Sequence, residues 1–217
     1  MSKYGVVAII PIKAHSERYK NKNFRILRGK ALYKHLLDKI EHCKFDRVFI
    51  DTDSDEIKNY AGQLGYCVID RLPGLAGNNA NGNDLLLHES TIVDAEIFFQ
   101  LFITAPFLRS ETINRAIEIL QTDESYDSLF TAHKMYTWFW YDGDPVNYDP
   151  KQLPRSQDAK PVIKETTGLY AIRKEALKKT RCRVGDKPFM LFLDYVESID
   201  IDNEIDLYIA ESIAAKK

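Results

Sequence analysis

The sequence lacks the features of a secreted, membrane-spanning or metal-cluster protein. Its three cysteines, Cys43, Cys67 and Cys182, match the spacing of no zinc or redox motif, and their odd number favours reduced thiols. No apolar run approaches the ~20 residues that span a bilayer. The short apolar run near the amino end stops at Pro11 before a cationic segment, which is not how a signal peptide ends. We expect a cytoplasmic protein with no membrane partner.

An excess of charge of one sign is also lacking. Among 217 residues, 30 are Lys or Arg and 32 are Asp or Glu, so the formal net charge is −2. A protein that recruits nucleic acid through its overall field needs a positive excess, and we therefore expect no nucleic-acid partner. Any anion must be bound by a local cluster of cations. Hydrophobic residues make up 45% of the chain, which suits the core of one large α/β domain.

Strand-like and helix-like segments alternate in the first half of the chain. Residues 6–10 form a β-branched run that predicts a buried strand, and residues 31–43 carry apolar side chains at helical spacing. A further strand is predicted from residue 47, running into an acidic turn at 53, and Ser54 and Gly65 are predicted to cap and to end the helix that follows. Other strands are predicted at 67–69 and 97–103, other helices at 84–92 and 111–120, and a loop at 73–83. This order predicts an α/β fold with a doubly wound, mostly parallel sheet, in which ligands bind beyond the carboxyl ends of the strands.

The second half of the chain departs from this alternation. Residues 136–148 hold both tryptophans, Trp138 and Trp140, together with several tyrosines. They indicate a segment that leaves the core, which we place at about 134–165 and call the projecting segment. Regular structure resumes near 167, and a closing helix is predicted at 204–214. Because no internal repeat is visible, we expect a single domain over residues 1–217.

The clearest chemical signal follows the first predicted strand, where cations are concentrated. The residues concerned are Lys13, Arg18, Lys20 and Lys22, with Ser16 and Asn23. Several cations at the carboxyl end of a strand can hold a triphosphate. The Gly-Lys-Ser/Thr ending of a Walker loop and the glycines of a dinucleotide fingerprint are both missing. The alternative is a basic loop that only contacts solvent.

A pair of carboxylates precedes the closing helix. Asp200 and Asp202 alternate along a predicted strand, so their side chains share one face and can share one Mg²⁺. The alternative is that Asp202 caps the closing helix, with Glu204 in its first turn.

A third polar cluster lies near the end of the projecting segment. Arg155, Gln157, Lys160 and Lys164 precede the run Glu165-Thr-Thr-Gly168. Such donors suit an anionic sugar with many hydroxyl groups, although a surface loop has the same composition.

Taken in order, these segments resemble the acylneuraminate cytidylyltransferases (CMP-sialic acid synthetases) and, more distantly, the octulosonate cytidylyltransferases. The first loop of that family typically reads Pro-Ala-Arg-Gly-Gly-Ser-Lys followed by a Lys-Asn pair, and Pro11, Ser16, Lys22 and Asn23 stand at the matching spacing. Arg18 matches a second arginine of the octulosonate branch. The other similar segments are residues 45–53, Asp84 with His88, Thr104-Ala-Pro106, Arg155-x-Gln157, Glu165-Thr-Thr-Gly168 and residues 198–202.

The resemblance implies a nucleotide-diphospho-sugar transferase-like, Rossmann-like fold and a Mg²⁺-dependent transfer of CMP from CTP to an acidic nine-carbon sugar. By this resemblance the catalytic cations of this chain would be Lys13, Arg18 and Lys22, and its nucleotide would contact Ser16, Asn23, Asp84 and Thr104. The sugar would contact Arg155, Gln157, Glu165, Thr166 and Thr167, and Asp200 and Asp202 would bind the metal. The resemblance also implies a homodimer, to which the projecting segment would contribute. The alternative is that its aromatic rings pack internally.

Three positions depart from the family pattern. Lys13 stands where most members have an arginine, and Ala14 and His15 replace two glycines. Phe102 stands where the family has a glutamine that reads the base. Two alternatives therefore remain. One is a nucleotidyltransferase of the same fold with another base or acceptor, and the other is a non-catalytic protein that binds nucleotide or sugar.

Overall fold

The computed structural model of the protein describes residues 2–16, 19–77 and 79–216. The strands are β1 (Tyr4–Ile12), β2 (Ile26–Leu27), β3 (Lys30–Ala31), β4 (Arg47–Thr52), β5 (Cys67–Asp70), β6 (Ala95–Leu101), β7 (Ser128–Met135), β8 (Trp140–Tyr141), β9 (Asp144–Pro145), β10 (Val162–Arg173) and β11 (Pro188–Phe192). The helices are α1 (Leu32–Ile40), α2 (Asp55–Gln63), α3 (Pro73–Ala76), α4 (Gly82–Ile92), α5 (Ser110–Thr122), α6 (Lys174–Thr180) and α7 (Glu204–Ala214).

Seven strands form the central sheet in the order β11-β7-β10-β6-β1-β4-β5. β1 pairs in parallel with β4 and β6, β4 with β5, and β7 with β11, whereas β10 is antiparallel to both of its neighbours. The carboxyl ends of the other six strands therefore lie along one edge of the sheet. This arrangement confirms the prediction of a doubly wound, mostly parallel α/β fold.

Both faces of the sheet are buried, as the run of apolar residues in β1 requires. Val6, Ala8 and Ile10 belong to a core with α1, α2 and α5, whereas Val7 and Ile9 belong to a second core with α4 and α6. Alternating side chains of a strand point to opposite faces, so a strand in the middle of such a sheet must be apolar throughout.

Local sequence signals set several helix ends. Ser54 accepts a hydrogen bond from the Ile57 amide and so caps α2, and Gly65 follows that helix at a φ of 74°. The prediction of a loop over 73–83 is wrong at both ends. Proline begins the single turn of α3, and α4 begins already at Gly82 because Asn81 and Asp84 form a reciprocal cap.

Asp200 and Asp202 lie in a loop and not in the predicted strand. The alternative that Asp202 caps α7 is also wrong, since Asn203 is the capping residue and Asp206 completes a reciprocal cap. The loop is nevertheless fixed, because the Ile201 amide donates to the Thr104 carbonyl at 2.8 Å.

The projecting segment is shorter than the predicted 134–165, because β7 extends to Met135 and β10 begins at Val162, which leaves residues 136–161 outside the sheet. It contains the small hairpin of β8 and β9. Its rings contact one another, and the Trp140 Nε1 group donates to the Tyr148 hydroxyl at 2.8 Å. Trp140 and Tyr141 still remain 56% and 80% exposed. The internal contacts therefore leave an exposed aromatic surface.

Among the described residues, no helix combines the length and the apolar character needed to cross a membrane.

Candidate functional site

A cavity of about 560 Å³ opens at the carboxyl edge of the sheet. The loops after β1, β5 and β6 and the amino end of α4 form its walls. Five residues singled out from the sequence line it together: Lys13, Ser16, Lys22, Asn23 and Thr104. They come from two separate parts of the chain, and the parallel strands β1 and β6 bring them to one place.

The loop after β1 is held in position by its own side chains. Asn23 is 6% exposed, and its amide group donates to the Lys13 carbonyl at 2.7 Å. The Ala14 amide donates to Asp53 Oδ1, beyond the end of β4, at 2.6 Å. These bonds fix the backbone that carries Lys13 into the cavity. Arg18, the remaining cation predicted to act here, lies outside the described residues.

Lys22 connects this loop to the two aspartates near the end of the chain. Its ammonium group lies 3.0 Å from Asp202 Oδ1, and its side chain is only 14% exposed. Asp200 Oδ1 is buried and has no hydrogen-bond partner among the described residues. A buried carboxylate oxygen without a donor is costly unless a ligand satisfies it. Asp200 and Asp202 are only two carboxylates, and nowhere among the described residues do three or more His, Cys, Asp or Glu side chains group as a metal site.

Arg71 is a cavity residue that the sequence reasoning missed. It directly follows β5, its side chain is 3% exposed, and it forms an ion pair with the buried Asp51 at 3.1 Å from Nε. Its Nη2 group donates to the Asp51 carbonyl at 2.9 Å. The available signal was position, since an arginine directly after a buried strand lies at the same edge as the loop after β1.

A second cation, Arg183, lies next to the wall formed by Phe102 and Gly82. Its guanidinium carbon is 3.6 Å from the ring centre of Tyr170 and 5.7 Å from that of Phe102. A Cβ atom at position 82 would overlap its Nη1 atom, so a larger residue there would displace the end of the Arg183 side chain. The sequence signal for Arg183 was weak, because it stands in a run of basic residues after α6.

Two of the predicted sugar residues are engaged within β10. Thr166 is 4% exposed and donates to Thr131 Oγ1 at 2.7 Å. Glu165 accepts a hydrogen bond from the Tyr170 hydroxyl. Burial, followed by this hydrogen bond, raises the pKa of Tyr170, which therefore stays protonated as the donor.

The other predicted sugar residues are exposed. Arg155 forms an ion pair with Asp158 at 2.6 Å, while Gln157 and Thr167 face solvent. Within the described residues, none of the five predicted sugar residues lines the cavity. Their role stays a prediction.

Asp84 is placed beside the cavity but not on its wall. Its carboxylate accepts a hydrogen bond from the Asn81 amide at 2.9 Å as part of the cap of α4. The cap orients Asn81 and Gly82, which do line the cavity. A direct contact between Asp84 and a nucleotide stays a prediction.

Comparison with known proteins gives a match over most of the chain. Residues 7–212 match the family model described as Cytidylyltransferase. The N-acylneuraminate cytidylyltransferase A of Danio rerio is 26% identical over 95% of this chain and 50% of its own length. The N-acylneuraminate cytidylyltransferase of Escherichia coli O18:K1:H7 is 24% identical over 98% of this chain and 52% of its own length. The chain thus spans about half the length of these two relatives.

Other matches extend over nearly the full length of both proteins. The CMP-N,N'-diacetyllegionaminic acid synthase of Legionella pneumophila is 26% identical over 96% of this chain and 95% of its own length. A solved CMP:2-keto-3-deoxy-manno-octonic acid synthetase complexed with CTP superposes with a TM-score of 0.70 at 17% identity, covering 98% of this chain and 99% of that one. At that identity the structural likeness shows the fold alone.

Proposed function

The chain belongs to the cytidylyltransferase family, and from this membership we propose that it transfers CMP from CTP to the anomeric hydroxyl of an acidic, sialic-acid-like sugar. The observation that carries the proposal is the convergence of Lys13, Lys22 and Thr104 on one cavity, with Lys22 paired to Asp202. The relatives named for acylneuraminic and legionaminic acids support an acidic nine-carbon sugar as the acceptor.

The cavity would hold the nucleotide, with Lys13 and Lys22 on its phosphates. Asn23 and Asp53 fix the backbone at Lys13 and Ala14, and Asp202 holds the Lys22 ammonium group, so this part of the site is ordered before the nucleotide arrives. Preorganised cations of this kind stabilise the charge that develops on a leaving pyrophosphate. Arg18 would add a further cation to the same loop.

The carboxylates of Asp200 and Asp202 fit a magnesium ion. Hard carboxylate oxygens are the ligands that Mg²⁺ takes in proteins, and Asp200 Oδ1 is buried without a donor. When bound, the ion would neutralise phosphate charge and align the phosphates. Because the protein offers two carboxylates here, phosphate oxygens and water would complete the coordination shell.

The proposed step is an in-line displacement at the α-phosphorus. The anomeric oxygen of the sugar bonds to the α-phosphorus, the bond from that phosphorus to the bridging oxygen breaks, and pyrophosphate leaves. The hydroxyl proton passes to solvent. Holding both reactants in the cavity supplies much of the rate enhancement, since the reaction becomes effectively unimolecular.

The acceptor side of the site would come from a second copy of the chain. Arg155 and Gln157 lie on the exposed projecting segment, away from the cavity of their own chain. Trp140 and Tyr141 present exposed rings on the same segment, and such residues are enriched at protein interfaces. In the proposed homodimer, each projecting segment brings its polar residues toward the cavity of its partner.

One observation favours a second candidate function. Phe102 lines the cavity and can neither donate to nor accept from the edge of a base. A nucleotidyltransferase of this fold that uses another base fits this residue better than strict cytosine selection does.

The test is pyrophosphate release from CTP, UTP, ATP and GTP, each assayed with Mg²⁺ and a panel of acidic nonulosonic and octulosonic sugars. We expect release with CTP and one sugar of the panel. Release with another nucleotide would favour the second candidate. If no nucleotide and sugar of the panel gave pyrophosphate, and circular dichroism showed that the protein was folded, both candidate functions would be contradicted.

A further inference from the structure

A buried carboxyl pair lies behind the cavity wall. Asp51, at the end of β4, is 1% exposed, and Glu89, on α4, is 0% exposed. Asp51 Oδ2 and both carboxyl oxygens of Glu89 have no hydrogen-bond partner by distance and angle among the described residues. The two carboxyl groups lie close enough for the charge of each to act on the other, and Arg71 lies within reach of both.

The charges of these three groups favour an arrangement in which one of the two carboxyl groups keeps its proton. Arg71 and Asp51 form an ion pair, which is neutral overall. A second carboxylate in the same dry environment would leave one buried charge uncompensated, which is strongly unfavourable. If Glu89 keeps its proton, it donates to Asp51 Oδ2, and two of the three unpaired oxygens are satisfied together. Burial first, and the Asp51 carboxylate second, raise the pKa of Glu89 well above its ordinary value, against a smaller opposite effect of Arg71.

The same helix connects this pair to the cavity. Leu85 and Glu89 are four residues apart on α4 and share one face, and Leu85 lines the cavity. Arg71 lines it as well, and its hydrogen bonds within the described residues use Nε and Nη2. Both Nη1 hydrogens and the second Nη2 hydrogen therefore remain as donors for a ligand in the cavity.

We propose that Glu89 is a positioning residue whose protonated carboxyl group donates to Asp51 and thereby holds Asp51 as the acceptor that aims Arg71 at the bound nucleotide. This inference rests on the proposed function. Without the donor, Asp51 can rotate away from the plane of the guanidinium, and Arg71 loses its fixed direction. Loss of the hydrogen bond from Glu89 to Asp51 would then weaken nucleotide binding, although Glu89 itself is not proposed to contact the nucleotide.

The experiment compares CTP binding by the wild type, E89Q, E89M and the exposed control E118M, using calorimetry in the presence of Mg²⁺. Glutamine keeps a donor to Asp51, whereas methionine keeps the side-chain length and removes the donor. We expect E89M to raise the Kd for CTP about tenfold, and E89Q and E118M to bind CTP like the wild type. In an R71M background, E89M should have no further effect on the Kd.

The possible outcomes separate the two proposals. A wild type that binds no CTP overturns the proposed function and this inference together. A wild type that binds CTP while E89M binds it equally well overturns the inference alone, as does an undiminished effect of E89M in the R71M background. Infrared spectroscopy tests whether the Glu89 carboxyl group is protonated, and it does not require E89M to fold. The carbonyl stretch of a protonated carboxylic acid should be present in the wild type at neutral pH and missing in E89Q, and its absence from the wild type would overturn the inference.

Discussion

The ammonium group of Lys22 lies 3.0 Å from Asp202 Oδ1, although 180 positions separate the two residues in the chain. The pair joins the loop after the first strand to the loop before the last helix. The first loop lines the cavity, and the second contacts two cavity residues, Lys22 through Asp202 and Thr104 through the Ile201 amide. The cation proposed to bind phosphate and the carboxylate proposed to bind metal are therefore 3.0 Å apart before any ligand binds.

Replacing Asp202 by Asn should abolish Mg²⁺-dependent turnover and leave the fold intact. Loss of a metal-binding carboxylate removes several kcal/mol of charge stabilisation, a rate loss on the order of 100-fold or more. The loss of its partly exposed ion pair should cost about 1 kcal/mol or less in stability. Pyrophosphate release and thermal unfolding measure the two effects. Asp55→Asn, on a side chain 94% exposed, is the matched control. Unchanged turnover in D202N would remove Asp202 from the metal site.

Replacing Phe102 by Gln should increase the preference for CTP over UTP. Glutamine places a donor and an acceptor at the cavity wall where phenylalanine has neither, and a single good hydrogen bond discriminates by about 1 kcal/mol or more. The measurement is the ratio of kcat/KM for the two nucleotides with the same sugar. Phe102→Leu controls for the loss of the ring that packs against Tyr170. An equal ratio in wild type and F102Q would show that position 102 does not read the base.

The projecting segment should act in the partner's site. We expect Arg155→Ala and Asp202→Asn to be inactive singly and to recover activity when the two variants are co-expressed, because a mixed dimer then contains one complete site. Recovery is measured as pyrophosphate release by the purified mixture. If each chain supplied its own Arg155, every site in the mixture would stay incomplete and no activity would return.

The same segment should hold the dimer together. Trp140→Ser with Tyr141→Ser removes two exposed rings and should shift the sedimentation coefficient from that of a dimer to that of a monomer at micromolar concentration. Exposed Tyr195→Ser, outside the segment, is the control. A wild type that sediments as a monomer would contradict the dimer itself.

Glu89 should make stability fall with rising pH. A carboxyl group whose pKa is raised in the folded state contributes stability that is fully present below its unfolded-state pKa, near the ordinary value of 4.5. That contribution is lost as the pH rises through the folded-state pKa. The groups that act on it are Asp51 and Arg71. Gln has no proton to lose, so the free energy of unfolding of E89Q, relative to the wild type, should be greater at pH 8 than at pH 5. Urea unfolding at both values measures it, and a constant difference would mean that Glu89 does not titrate abnormally.

The sequence predicted site residues best where they directly follow a recognisable strand. Lys13, Lys22 and Asn23 come just after an unmistakable buried strand, and Thr104 follows another, so a parallel sheet had to bring them together. The ends of α2 could also be predicted, since Ser54 caps the helix that directly follows it and Gly65 follows the end of the same helix.

Interactions between segments that are distant in the chain could not be predicted from the sequence. Arg71 pairs with Asp51 across 20 residues, and only the adjacency of β4 and β5 makes them partners. The strand β7 carries a mixture of polar and apolar residues, and both of its partners in the sheet, β10 and β11, come later in the chain. The error at Asp200 and Asp202 has the same origin, because alternation along the sequence indicates a strand only where a neighbouring strand is present to pair with it.

Because β10 pairs with β7, the projecting segment between them can change without a change in the sheet. Met135, at the end of β7, pairs with Val162, at the start of β10, so the main-chain ladder closes the segment at its base. Its length and composition can change without shifting the register of the sheet or the nucleotide cavity at the β1 and β6 side. Evolution can thus exchange the segment proposed to bind the acceptor and the partner subunit, while the residues proposed to bind the nucleotide are kept.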